Sequence, residues 1–163
     1  MCLSGSALSV EQYAKKVDLK QLVEGRQPRN TLLAWCSWNV SGDLSPELRS
    51  ATQSSVWTPG KPMTAHKAIK KDGDVVGIHC YKSIDDLNRA NQVSNKTDFK
   101  QERVVVGQVL IWGLIAEHVN GYRAEFGYPF VIHANGPGLA LRLADTYGCM
   151  IGRDFIPRLL KAA

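Results

Sequence analysis

The chain has 163 residues, 44% of them hydrophobic and 21% charged, with a formal net charge of +5. Those values suit one globular domain, 1–163, with a single hydrophobic core, and they exclude an intrinsically disordered chain. No apolar run approaches the roughly 18–20 residues of a membrane span. Residues 1–16 show no basic region followed by an apolar stretch, so the expectation is a soluble, cytoplasmic protein with no membrane partner.

Ser9 followed by Gln12 reads as a capping box. Val10, Tyr13, Ala14, Val17 and Leu22 then recur at helical spacing, which predicts a helix over about 10–24 that Gly25 ends. The β-rich core is expected over about 31–134. Thr31–Val40 is aromatic and β-branched, a strand by propensity, and SGD closes it. Leu44–Ser55 is Ser-rich and reads as a loop with at most one helical turn after Pro46, and Ser55–Trp57 reads as a brief strand before Pro59-Gly60. Met63–Ile69 is ambiguous between helix and strand. Asp72-Gly73 marks a turn into a strand, Asp74–Tyr81.

Ser83 caps a short helix, with Asp86 supporting its first turn, that is expected to fade by about Ala90. Asn91–Glu102 is polar and reads as a surface loop. Arg103–His118 is the strongest β segment, and Asn120-Gly121 after it is a type I′ hairpin signal that returns Tyr122–Ala134 antiparallel. Pro129 implies an edge position or a bend in that strand. Gly136-Pro137 opens a helix over Gly138–Tyr147, which Gly148 ends. Cys149–Ile151 is a short strand, and the C-terminal helix and tail span 137–163. The fold class is α+β, a mostly antiparallel sheet or small β-barrel with flanking helices.

A straight strand from Val104 to Val119 would span roughly 50 Å at about 3.3 Å per residue, so Gly107 and Gly113 are the expected bends. A two-residue turn at Asn120-Gly121 pairs Val119 with Tyr122, His118 with Arg123 and Glu117 with Ala124. Alternation then puts Ile115, Glu117, Val119, Tyr122, Ala124, Phe126 and Tyr128 on one face. The other face carries Trp112, Leu114, Ala116, His118, Arg123 and Glu125. A carboxylate at Glu117 within that apolar row must be paired, hydrogen-bonded or protonated. The bland alternative is a bulge that turns it to solvent. His118, Arg123 and Glu125 read either as a surface charge ladder or as the lining of a pocket.

Other chemistry finds little support. The histidines and cysteines have no metal-ligand spacing, and His79 and Cys80 alternate to opposite faces, so no metal is expected. There is no G-x-S-x-G, Walker or Rossmann pattern, and no cofactor is expected. Cys2, Cys36, Cys80 and Cys149 read as reduced, mostly buried thiols, and nothing nearby activates Cys2. Trp35 and Trp38 alternate to opposite faces. One belongs to the core, and the other, with Trp57 or Trp112, is a candidate wall for a ring-binding pocket.

The stretches Trp57–Gly60 (WTPG), Gly77–Lys82 (GIHCYK), Val106–Gly113 (VGQVLIWG) and Glu117–Pro129 (EHVNGYRAEFGYP) resemble a family of small uncharacterised bacterial proteins. That resemblance brings no mechanism. Gly73–His79 and Val105–Val109 are similar in order to the strands of PUA-like and ASCH-like barrels. The second resemblance implies a PUA-like barrel that binds RNA or a modified base in a cleft. The Trp112-Gly113 pair and the tight turn at Asn120-Gly121 depart from that pattern.

The leading expectation is a small binding module for nucleic acid or a nucleotide-like ligand. Its partner would be an anionic molecule such as single-stranded RNA or DNA. The candidate ligand-binding residues are Trp57, His79, Trp112, Glu117, His118, Tyr122, Arg123 and Glu125. The alternatives are a small enzyme acting on a nucleotide or nucleic acid, with Glu117 or Glu125 as acid/base and Arg123 as anion clamp, and a protein-interaction or inhibitor module. The positive charge alone does not choose, because the basic residues are dispersed apart from Lys67–Lys71 and Arg158/Lys161.

Overall fold

The computed structural model describes residues 7–42, 45–50, 55–65, 77–94, 104–133 and 137–152. The described strands form one sheet, antiparallel except at its last strand. In chain order they are β1 (Ser9–Gln12), β2 (Leu32–Ser41), β3 (Glu47–Ser50), β4 (Val56–Trp57), β5 (Met63–Thr64), β6 (Ile78–Tyr81), β7 (Val104–Glu117), β8 (Gly121–His133) and β9 (Met150–Ile151). Among the described residues three helices accompany them: α1 (Lys20–Val23), α2 (Ile84–Ser94) and α3 (Pro137–Tyr147). The expected α+β class with an antiparallel sheet is the observed one. The turn at Asp72-Gly73, the first part of the strand expected from Asp74, the loop from residue 95 to 102, the Lys67–Lys71 and Arg158/Lys161 clusters, and Cys2 lie outside the described residues.

The β7–β8 hairpin is the centre of the sheet. β8 pairs with β6 on its far side, and β2 pairs with β7 over Leu32–Asn39. β2 and β6 meet only at Trp35–Tyr81, so the circuit β2–β7–β8–β6 is ring-like without being a barrel. β7 is buried on both faces over most of its length, as its unbroken apolar run requires. Trp38, Trp57 and Trp112 lie in the core with Leu48, Val105, Leu110, Ile111, Ile115 and Ile132. Trp38 meets Trp57 edge to face at 5.6 Å, and Trp112 stacks on Phe126 at 5.9 Å.

A buried tyrosine network ties the outer strands to this core. The Tyr147 hydroxyl donates to the Trp57 carbonyl at 2.6 Å and accepts from the Leu48 N–H at 2.8 Å. Tyr128 donates to the Tyr147 carbonyl at 2.7 Å and accepts from the Gly60 N–H at 2.8 Å. Both phenols are held above their ordinary pKa first by burial, Tyr147 at about 12.

Four local expectations are corrected. The expected helix over 10–24 is a strand followed by a single helical turn. β2 leaves the edge of β7 after Ile111, and the backbone groups beyond it need new partners. Ser9–Gln12 supplies them against Leu114–Glu117, and Tyr13 N–H and Ala14 C=O bond Gly113. The stretch after Pro46 is the strand β3 rather than a loop or helical turn, because Leu48 and Trp57 pair and both bury their side chains. The Ser83 cap forms as expected, its hydroxyl 3.1 Å from the Asp86 N–H. The helix nevertheless continues past Ala90 to Ser94, since nothing in Ile84–Ser94 breaks it.

The fourth correction is the hairpin register, which differs by two residues from the expected one. Glu117 pairs with Tyr122 and Ala116 with Arg123, and His118 N–H donates to the Gly121 carbonyl at 2.8 Å. Val119 and Asn120 are therefore the central turn residues. Neither has a positive φ, so the turn is not type I′. A two-residue shift preserves the faces near the turn, but a bulge between Trp112 and Ile115 does not. Gly113, at φ +78, carries the bulge and brings Trp112 to the face of Ile115, opposite to its expected side. Pro129 sits beside the second irregularity, a bend within the sheet rather than an edge position.

Candidate functional site

Chemistry-bearing side chains gather where β6 runs beside β8 at the turn end of the β7–β8 hairpin. Cys80 is wholly buried in the core, so alternation turns His79 and Tyr81 to the opposite, outer face of β6. Cross-strand pairing places Arg123 beside His79, and Trp35 beside Tyr81. All four are partly buried, and α2 lies against the same two strands, β2 and β6. Of the four tryptophans, Trp35 alone keeps appreciable exposure. Its ring stacks on His133 at 5.7 Å.

His118 lies at the entrance to the turn and is 3% exposed, with no hydrogen-bond partner on either ring nitrogen. Burial and then the positive charges of Arg123 and Lys82 hold its pKa below the ordinary imidazole value. His79 is lowered to about 4, first by burial, then by Arg123 and by His118. Both imidazoles are thus neutral at pH 7 in a region of positive potential.

On the other face, Glu117 meets Lys82 at 2.7 Å and Ser9 Oγ at 3.4 Å. The Lys82 hydrogen bond and charge hold this carboxyl below its ordinary pKa. Lys82 also lies over the Tyr122 ring, 5.5 Å from its centroid. The Glu117 side chain is 41% exposed and Val119 is 72% exposed, so the apolar row expected around Glu117 ends in solvent rather than in the core.

The expected site residues therefore divide. His79, His118 and Arg123 come together, and Glu117 and Tyr122 form an adjoining pair. Trp57 and Trp112, each 2% exposed, are core residues and offer no ring face to a ligand. Glu125 does not join His118 and Arg123 in a ladder, because its carboxylate accepts the Leu114 N–H at the bulge, at 3.1 Å. Lys82, Ser9 and Tyr81 are additions that sequence reasoning missed. Lys82 follows a strand end like any surface lysine, and only the β6–β8 pairing brings it to Glu117.

Among the described residues no three His, Cys, Asp or Glu side chains converge as a metal-ligand set, and no helix is long and apolar enough to cross a membrane. The described cysteines are unbridged. Burial pushes Cys36 and Cys149 up to about 12 and Cys80 well above its ordinary value, so none is a thiolate nucleophile at neutral pH. No family model matches the chain, and no curated protein or solved structure matches it.

Proposed function

We propose that this protein is a small binding module for nucleic acid or a nucleotide-like ligand, acting in the cytoplasm through the outer face of β6. One observation carries the reading: Trp35, Tyr81, His79 and Arg123 share that face by strand pairing. Partly buried aromatic rings supply surfaces on which a base stacks, and a guanidinium supplies attraction to phosphate. The net charge of +5 adds long-range attraction of the same sign. Arg123→Ala tests it directly, with the anisotropy of a labelled single-stranded oligonucleotide as the readout. Binding should weaken as salt rises, with a shallower salt slope in the variant. A salt-independent signal, or an unchanged one in Arg123→Ala, counts against the reading.

A second reading, a small enzyme acting on a nucleotide or nucleic acid, is favoured by the pairing of His79 with Arg123, an imidazole beside a charge that steadies an anion. In that case His79, held at about 4 by burial and by Arg123, orients the reacting group by hydrogen bonding and is only a weak base at neutral pH. Glu117 is engaged by Lys82, and Glu125 by the bulge. Turnover that disappears in His79→Gln and persists in Glu117→Gln would support it.

A further inference from the structure

We infer that His118 is the phosphate-contacting residue of this protein, a buried subsite at the turn end of the hairpin that takes a phosphate oxygen of a nucleotide or nucleic acid. This rests on the binding reading above and assigns the part of the ligand held there.

Buried polar side chains are satisfied as a rule, and each exception calls for a cause. His118 is an exception twice over, because neither Nδ1 nor Nε2 has a partner although the residue is 3% exposed. An imidazole carries a donor on one nitrogen and an acceptor on the other. A phosphate oxygen, in a monoester or a diester alike, accepts from the nitrogen that carries the proton; the other nitrogen points away from it and needs a separate O–H or N–H donor. A purely apolar ligand meets neither need, and a cation, although its N–H can donate to the bare nitrogen, is opposed by the charges around the ring. Those charges are Arg123, on the neighbouring strand, and Lys82, whose backbone N–H holds the Asn120 carbonyl of the turn at 3.0 Å. The nearest carboxylate in the chain, Glu117, is already bound to Lys82 at 2.7 Å and does not compete for the ring. His118 directly precedes the exposed turn residues Val119 and Asn120, so a phosphate reaches the covered ring by opening of the turn end. The rings of Trp35 and Tyr81 lie on the β6 side of the same region.

The test is NMR of protein labelled with ¹⁵N-histidine, titrated with inorganic phosphate, adenosine monophosphate and a short oligothymidylate. The His118 ring resonances should shift saturably with phosphate. A stronger response to the monophosphate assigns a terminal phosphate, and a stronger response to the oligonucleotide assigns a backbone diester; either supports the subsite. His118→Phe should keep the fold, since it removes an unsatisfied polar group, and should weaken phosphate binding about tenfold or more. If that variant fails to fold, the wild-type ring shifts decide alone. An unmoved His118 ring at saturating phosphate, or unchanged binding by His118→Phe, overturns the inference. Oligothymidylate binding that persists beside an unmoved ring leaves the binding reading standing. Failure of every probe to bind overturns both.

Discussion

His79 and His118 sit beside Arg123, and the fold pushes both pKa values down, His79 to about 4. An unfolded chain would protonate them near 6.5. A group whose folded pKa is depressed contributes stability above its unfolded pKa and loses it as pH falls. The melting temperature should therefore decline as pH drops from about 6.5 toward 4, and His79→Gln should flatten part of that decline. A flat profile through this window would show that the imidazoles do not feel the fold. Glu117 titrates in the same sense at lower pH, and because its side chain is 41% exposed, Glu117→Gln should leave the melting temperature nearly unchanged at pH 7. Much of this chemistry was legible as residue type and alternation: Glu117 needs a partner, and Arg123 lies on the other face from it. The identity of the partner was not, because Lys82 reaches Glu117 from 35 positions away through a strand pairing that local pattern does not encode.

At the level of elements, β2, β7, β8, α2 and α3 follow from propensity, turn residues and caps, which act within a few residues. Two of the departures, β1 and β3, arise where a distant strand edge decides, whereas the longer α2 and the turn at Val119-Asn120 are local. Ser9–Gln12 has a helical signature, yet it becomes β1 because β7 has backbone groups to satisfy beyond Ile111. The bulge is held in place by Gly113. A Cβ there would lie 2.6 Å from Phe126 Cδ2, on a backbone at φ +78. Gly113→Ala should cost about 1–3 kcal/mol in urea denaturation, and a neutral result would mean that the bulge relaxes freely. Gly121 is needed for a different reason from the one its Asn-Gly context suggests. Its φ is not positive, but a Cβ would run into the Cys80 carbonyl of β6, so Gly121→Val should destabilise by prising β6 from β8. Tyr147→Phe removes the acceptor of the Leu48 N–H and the donor to the Trp57 carbonyl. The expected loss is about 1–3 kcal/mol in the same assay, with β3 and β4 exchanging amide hydrogens faster.

Across the whole molecule, the ring-like circuit β2–β7–β8–β6 joins two regions that the chain separates widely. Trp35 lies on β2 and Arg123 on β8, and β6 brings them to one face. Three tryptophans are spent on the core: Trp38 is fully buried, and Trp57 and Trp112 are each 2% exposed. Ligand-dependent emission should therefore come mainly from Trp35, which makes it a built-in reporter of that face. The decisive measurement is a titration of intrinsic tryptophan fluorescence with oligothymidylate at low ionic strength, in the wild type and in Trp35→Phe. Binding on the β6 face should quench or shift the wild-type emission, weaken as salt rises, and leave Trp35→Phe with little response. Wild-type emission that does not change at low salt, or a response that persists undiminished in Trp35→Phe, would contradict the placement of a nucleic-acid or nucleotide-like ligand on this face.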